Sequence, residues 1–115
     1  MTNESILTEI KKMLGLASDY NAFDTDIKIY INTALSRLAQ LGVTPVDGAT
    51  LKITGTNETW TGLFGENDKL NQIQSLIYLK VRLLFDPPAS ATIVQVFKSQ
   101  IEELEWEINV EAESN

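Results

Sequence analysis

The stretch IYLKVRLLFDPP, Ile77 to Pro88, decides the fold, because it sets two cations, Lys80 and Arg82, inside an apolar run that stops at two prolines. The apolar positions begin upstream at Leu70 and recur every three or four residues, which is the spacing of a helix rather than a strand. Proline lacks an amide hydrogen and restricts the residue before it, so the helix should end near Phe85 or Asp86. A helix with so much apolar surface is normally covered on more than one side.

The bulk composition narrows the class of protein. A chain of 115 residues with 43% hydrophobic residues fits one folded domain over residues 1–115. The sequence has neither Cys nor His, which excludes disulfides, thiol chemistry, the usual zinc ligand sets and the commonest general base. No run of 18 apolar residues occurs, and the start MTNESILTEIKK does not resemble a signal peptide. We therefore expect a soluble protein with no cofactor, no metal and no membrane contact.

The negative charge is concentrated at the C-terminal end. The net charge is -7, yet residues 1–100 contain ten acids and nine bases, while residues 101–115 contain six glutamates and no base. Without a basic stripe, binding of nucleic acid through its phosphates is not expected. The glutamates form either a solvated helix face with an acidic tail over 111–115, or an acidic surface that a partner or a repelled DNA meets.

The pattern along the chain predicts a mainly α-helical, four-helix domain with a short β-hairpin insertion. The helices are expected over about 5–14, 25–42, 68–85 and 90–110. Asp24 is a suitable N-cap for the second helix. Ser90 is one for the fourth, although Asp86 could instead cap a helix that starts at Pro87.

The predicted hairpin lies between the second and third helices, over about 50–62. The alternating pieces LKIT and ETWTG flank the turn-forming GTN, which is typical of two short paired strands. An isolated hairpin is marginally stable in water, so it should rest on helices or on another chain. Trp60, Leu63 and Phe64 follow it, and they either fill the subunit's own core or contact a partner.

The fourth helix has two apolar faces when its residues are placed at about 100° intervals. The predicted core face consists of Ile93, Val94, Phe97, Ile101, Leu104 and Ile108. Val96, Trp106 and Val110 fall on nearly the opposite side, between glutamates. A tryptophan can bury about 150–250 Å². These three residues therefore predict a surface for a second molecule.

The third helix contains the cations of the opening stretch. Lys80 falls in its densest apolar sector, where an unpaired ammonium would cost several kcal/mol. Lys80 must therefore extend to water, pair with a carboxylate or lie in a polar seam between subunits. Arg82 lies opposite and Tyr78 far round the helix, so both are candidates for an interface with a partner.

Several segments, in this order, resemble a known family. They are FDTDIKIYINTALSRLAQLGV, ETWTGLFG, YLKVRLLFDPP and QIEELEWEINV. The chain is similar over about Leu7 to Ala112 to the head–tail connector proteins (adaptor or head-completion proteins) of long-tailed bacteriophages and their prophages.

The resemblance implies a structural helical subunit, not an enzyme. Such subunits form a ring of about a dozen copies beneath the capsid portal, extend the DNA channel and meet a stopper or tail-completion protein. The protein would then lie in the virion neck, and in the bacterial cytoplasm before assembly, and DNA would pass through without specific binding. Lys80 could pair with Glu102 or Glu105. Glu103, Glu107 and Glu111 could face the channel and repel its phosphates.

Two other functions remain open from the residues alone. A small acidic regulatory protein or DNA-mimic inhibitor would use the glutamates to bind a partner, but a mimic should spread its carboxylates over a face rather than crowd them at one end. An enzyme has less support, since the carboxylate pairs occur at ordinary helix-surface spacing without a base, nucleophile or metal partner.

Overall fold

The structure is a computed structural model that describes residues 4–113, and within that range it is mainly helical. Its helices are α1 (Ile6–Met13), α2 (Asp24–Gln40), α3 (Trp60–Phe64), α4 (Leu70–Phe85) and α5 (Ala91–Glu113). The predicted mainly α-helical class is confirmed, with five helices in the described range rather than four.

Capping residues in the sequence mark the start of α1 and the ends of α1 and α2. Ser5 caps α1, because its Oγ accepts a hydrogen bond from the amide of Thr8 at 3.0 Å. Gly15 and Gly42, which follow α1 and α2, have φ angles of +85° and +99°. Glycine adopts this left-handed conformation at little steric cost, so both helices stop there.

Asp24 does not cap α2, which corrects the prediction. Phe23 occupies the capping position and makes no side-chain hydrogen bond there. The Asp24 carboxylate instead lies 2.9 Å from the ammonium of Lys11, whose side chain is only 3% exposed. Lys11 also donates a hydrogen bond to the Ser18 carbonyl at 3.1 Å. Burying this cation requires such partners, and the ion pair joins α1 to the start of α2.

Helices α2, α4 and α5 form the body of the molecule. Ring contact between Phe23 and Phe85, with centroids 5.2 Å apart, places the start of α2 beside the end of α4, so these helices are antiparallel. The largest fully buried side chains are Ile6, Ile10, Ile27, Ile31, Leu35, Leu38, Ile53, Ile73, Leu76, Ile77, Val81 and Ile108. The core therefore runs through α1, α2 and α4, and it is completed by residues of α3, α5 and the segment 43–59.

Most of the apolar surface of α4 is buried within the same chain. Ile73, Leu76, Ile77, Leu79 and Val81 are all buried between the neighbouring helices. The cover that the sequence requires on more than one side of this helix therefore comes mostly from its own chain, and Leu84, at its C-terminal end, is left 53% exposed.

The predicted β-hairpin is not supported, and the segment 43–59 is an extended loop. Ile53 is buried, and the Asn32 side chain on α2 bonds both of its backbone polar groups, at 2.7 Å and 3.0 Å. Ile53 therefore needs no partner strand. Glu58 folds back to accept hydrogen bonds from Thr54 and Gly55, and Thr59 forms an isolated antiparallel bridge with Ser5 instead.

The short helix α3 begins immediately after that bridge. Thr59 caps it by accepting a hydrogen bond from the Gly62 amide at 3.0 Å. Its three large side chains, Trp60, Leu63 and Phe64, are 5–6% exposed and belong to the core. The sequence left two roles open for these residues, core filling and partner contact. The structure places them inside the subunit, so they fill its core and do not form part of the candidate partner surface.

Candidate assembly surface

Glu105 connects the three long helices. Its carboxylate on α5 accepts hydrogen bonds from Arg37 of α2, Nη2 to Oε1 at 3.0 Å and Nε to Oε2 at 3.2 Å. Lys80 of α4 approaches the same carboxylate, with Nζ 3.0 Å from Oε2. Lys80 is therefore a paired, half-buried cation, and its partner is Glu105 rather than Glu102.

The two cations also determine how Glu105 titrates. Burial acts to raise the pKa of Glu105, but the hydrogen bonds and positive charges of Arg37 and Lys80 outweigh burial, so the pKa lies below its ordinary value of 4.5. The hydrogen bond and charge of Glu105 in turn raise the pKa of Arg37. The charged form of Glu105 is thus the one that stabilises the fold.

We expect Glu105→Gln to lower the free energy of unfolding by about 1–2 kcal/mol at neutral pH, since the neutral amide loses its charge attraction to both Arg37 and Lys80. Because the folded pKa is depressed, the contribution of Glu105 is present above pH 4.5 and is lost as the pH falls through the lower folded value. Urea unfolding of both proteins between neutral and acid pH measures the difference. It should shrink toward zero in acid, and a difference that stays constant with pH would contradict this assignment.

The matched control is Glu102→Gln, on the same helix. Glu102 is exposed, so its neutralisation should change stability by no more than about 0.5 kcal/mol. An equal loss from both variants would indicate a general effect of charge on α5 rather than the pairing of Glu105.

The outer side of α5 exposes three large apolar residues. Val96 is 48%, Trp106 66% and Val110 43% exposed. In a helix their positions fall within about 80° of one another. Together with Ser99 and Glu103, which lie in the same sector, they form what we call the outer stripe. Its three apolar residues are those from which the sequence predicts a partner surface, and that role stays a prediction.

The N-terminal part of α5 extends past the end of α4. Helices α4 and α5 are antiparallel, because Lys80 pairs with Glu105 and Leu84 lines the same groove as Ile101. In this register Phe85 lies beside about residue 100. From Arg82 to Glu107 the structure contains no buried residue. Ile93, predicted to face the core, is 46% exposed, because no other helix reaches its level.

Tyr78 and Arg82 lie on the side of α4 away from Lys80, and both are half-buried. The Arg82 guanidinium donates to the Tyr78 hydroxyl at 3.2 Å and to the backbone carbonyl of Asp86. These bonds hold Arg82 against the end of its own helix. The contact of Tyr78 and Arg82 with a partner stays a prediction.

The three acids predicted to face the channel differ in their surroundings. Glu103 is exposed on the outer stripe, whereas Glu107 and Glu111 are half-buried. Glu107 lines a groove beside Met13, and Glu111 lines a separate depression that also contains Lys69. Because they are four residues apart, the three acids lie within about 80° of one another around α5 but at different levels along it. Their role in a channel stays a prediction.

Two grooves flank α5, one on each side. The first, between α2, α4 and α5, has a volume of about 470 Å³ and contains Arg37, Lys80 and Leu84. The second, of about 400 Å³, lies toward α1 and contains Met13 and Glu107. The first has basic groups at its edge and the second acidic ones, so they favour different partners.

The sequence analysis missed an aromatic cluster at the end of the body. Tyr20 and Phe23 form an edge contact at 5.9 Å, and Phe23 continues to Phe85. Tyr20 and Phe23 are 45% and 40% exposed. Both occur in the stretch ASDYNAFD between α1 and α2, where two aromatic residues three positions apart were the available signal of an apolar surface.

Two kinds of special site are absent from residues 4–113. Among these residues, no group of three or more Cys, His, Asp or Glu residues is placed to hold a metal ion. None of the helices in that range combines the length and apolarity that a membrane crossing requires.

A helical body with an exposed apolar stripe and flanking grooves is typical of a subunit that assembles with other proteins. A search of family models gives the particular family: residues 6–115 match the model described as phage connector protein. The chain belongs to the phage connector proteins, structural proteins of the virion neck that contact other phage structural proteins. No curated protein and no solved structure matches it significantly.

Proposed function

We propose that this chain forms an oligomeric ring of about a dozen copies at the phage neck, where it joins the capsid portal to the tail or to a stopper protein and extends the DNA channel. The observation that carries the proposal is the family match over residues 6–115. The exposed Trp106 supports it, because a ring subunit needs apolar surface for its neighbours.

The role is structural rather than catalytic. A catalytic carboxylate usually has a pKa shifted toward the operating pH, and its oxygens are available to a substrate. Glu105 has the opposite properties, since its pKa is lowered and its oxygens bind Arg37 and Lys80. It acts as a fixed link between helices.

DNA passes the ring without being held. The net charge of -7, with six glutamates in the last fifteen residues, does not attract a phosphate backbone. A wall of like charge repels phosphates and lowers the friction of a moving duplex.

The test is made on purified phage particles. Quantitative mass spectrometry should find the chain in a fixed ratio to the portal protein, close to one copy per portal subunit, and antibody labelling should place it at the neck. Particles produced without the chain should contain heads that lack attached tails. Absence of the chain from tailed particles, together with its recovery on a host protein, would favour the acidic regulatory function instead.

A further inference from the structure

The groove between α2, α4 and α5 is mostly apolar. Leu83, Leu84 and Ile101 contribute its aliphatic surface and Tyr30 an aromatic one. Leu84 is 53% exposed, which is high for a leucine in a groove lined by three helices. The groove therefore offers a site for a large apolar side chain from outside.

The edge of this groove carries an excess of positive charge. Arg37 and Lys80 both line it, and both bind the single carboxylate of Glu105. Two cations share one anion, so one positive charge remains uncompensated by that carboxylate. An acidic partner is favoured at this edge.

The outer stripe of α5 has the complementary properties. Trp106, 66% exposed, provides a large apolar side chain, and Val96 and Val110 extend the apolar line on either side. Glu103 lies within the stripe and Glu102 beside it, and both are exposed. A tryptophan flanked by carboxylates fits an apolar groove edged by cations.

We propose that the outer stripe of one copy packs into the groove of the next copy, with Trp106 against Leu84 and the flanking glutamates near Arg37 and Lys80. The inference rests on the proposed ring and specifies which surfaces of the chain form it. It also assigns Glu103 to the interface between copies, which leaves Glu107 and Glu111 as the acids that could face a channel.

The positions of the two surfaces determine the kind of assembly. Ile101, in the groove, and Ser99, on the stripe, are two residues apart and thus about 200° apart around α5. Each copy therefore has a stripe on one side and a groove on the other. Contacts between unlike surfaces produce a closed ring or an open filament, rather than a two-fold dimer.

The test uses the absence of cysteine from the natural chain. Ser99→Cys places a thiol on the stripe and Ser36→Cys places one in the groove, and both serines are exposed. Phage particles whose connector carries both substitutions are treated with a short bis-maleimide and analysed on denaturing gels. The matched control combines Ser99→Cys with Ser75→Cys, an exposed serine in the groove on the α1 side.

We expect the Ser36/Ser99 double variant to give a ladder of covalent multimers, while either single variant and the Ser75 control remain monomeric. Particles that contain the double variant at the wild-type ratio but show no ladder would overturn the inference and leave the neck function intact. Dimers from Ser99→Cys alone, or a ladder from the Ser75 control, would overturn it as well. Absence of the wild-type chain from particles would instead refute the proposed function.

Discussion

Trp60→Ala should lower the free energy of unfolding by about 3–5 kcal/mol, the usual cost of truncating a buried aromatic residue. Trp60 is 6% exposed, belongs to the core and stacks against Phe64, with ring centroids 6.4 Å apart. The truncation leaves a cavity beneath α3 that the loop 43–59 can fill only in part. Urea unfolding followed by circular dichroism measures the loss.

The matched control is Trp60→Phe. The buried indole N–H of Trp60 donates to no acceptor in the described part of the chain. An unsatisfied buried donor is itself destabilising, so its removal offsets part of the lost volume. We expect the phenylalanine variant to be clearly more stable than the alanine variant. A change below about 1 kcal/mol for Trp60→Ala would mean that Trp60 lies at a partner surface after all.

Trp106→Ala should weaken the association of copies and leave folding stability almost unchanged, in contrast to Trp60→Ala. The Trp106 side chain is 66% exposed, so we expect the stability of the free chain to change by no more than about 0.5 kcal/mol. Association of copies should weaken by at least about 2 kcal/mol per contact, or roughly 30-fold, because a central interface tryptophan is a typical hot spot. Incorporation of the variant into particles, relative to wild type, measures this effect.

Trp106→Phe provides the comparison for that variant, since it keeps an aromatic side chain on the outer stripe. It should retain more of the association than Trp106→Ala at equal stability. Normal incorporation of the alanine variant would show that Trp106 contributes nothing to assembly. A loss of folding stability as large as that for Trp60→Ala would place Trp106 in the subunit's own core.

The long helices were predictable because their apolar spacing is a local property. Ser5 marks the start of α1 and Gly42 the end of α2. In the structure α1 begins at Ile6 and α2 ends at Gln40, so each residue lies within two positions of the helix end it marks. The pairing of Lys80 with a glutamate of α5 was also predictable, since a half-buried ammonium requires an anion and α5 contains many.

The hairpin was wrong because strand pairing is not a local property. LKIT and ETWTG alternate like strands, yet Asn32, more than twenty residues away, bonds the backbone of Ile53 in place of a partner strand. The spacing of Trp60, Leu63 and Phe64 was the missed signal, because intervals of three and one are helical and Thr59 is a suitable cap.

The exposure of Ile93 shows the limit of reasoning by angle. A helical projection gives the direction of a side chain but not its level along the axis. Ile93 points in the same direction as the buried Ile108, but lies beyond the end of α4. The ion pair of Lys11 and Asp24 was missed for a related reason, since it depends on how the loop after α1 returns the chain to α2.

The central claim is that other copies cover the outer stripe of α5, and hydroxyl-radical footprinting of the wild-type chain tests it most directly. The two tryptophans serve as probe and internal reference, because Trp106 is 66% and Trp60 6% exposed in the single chain. We expect Trp106 to be oxidised rapidly in the free chain and slowly in phage particles, while Trp60 reacts slowly in both. Equal oxidation rates for Trp106 in the free chain and in particles would contradict the account.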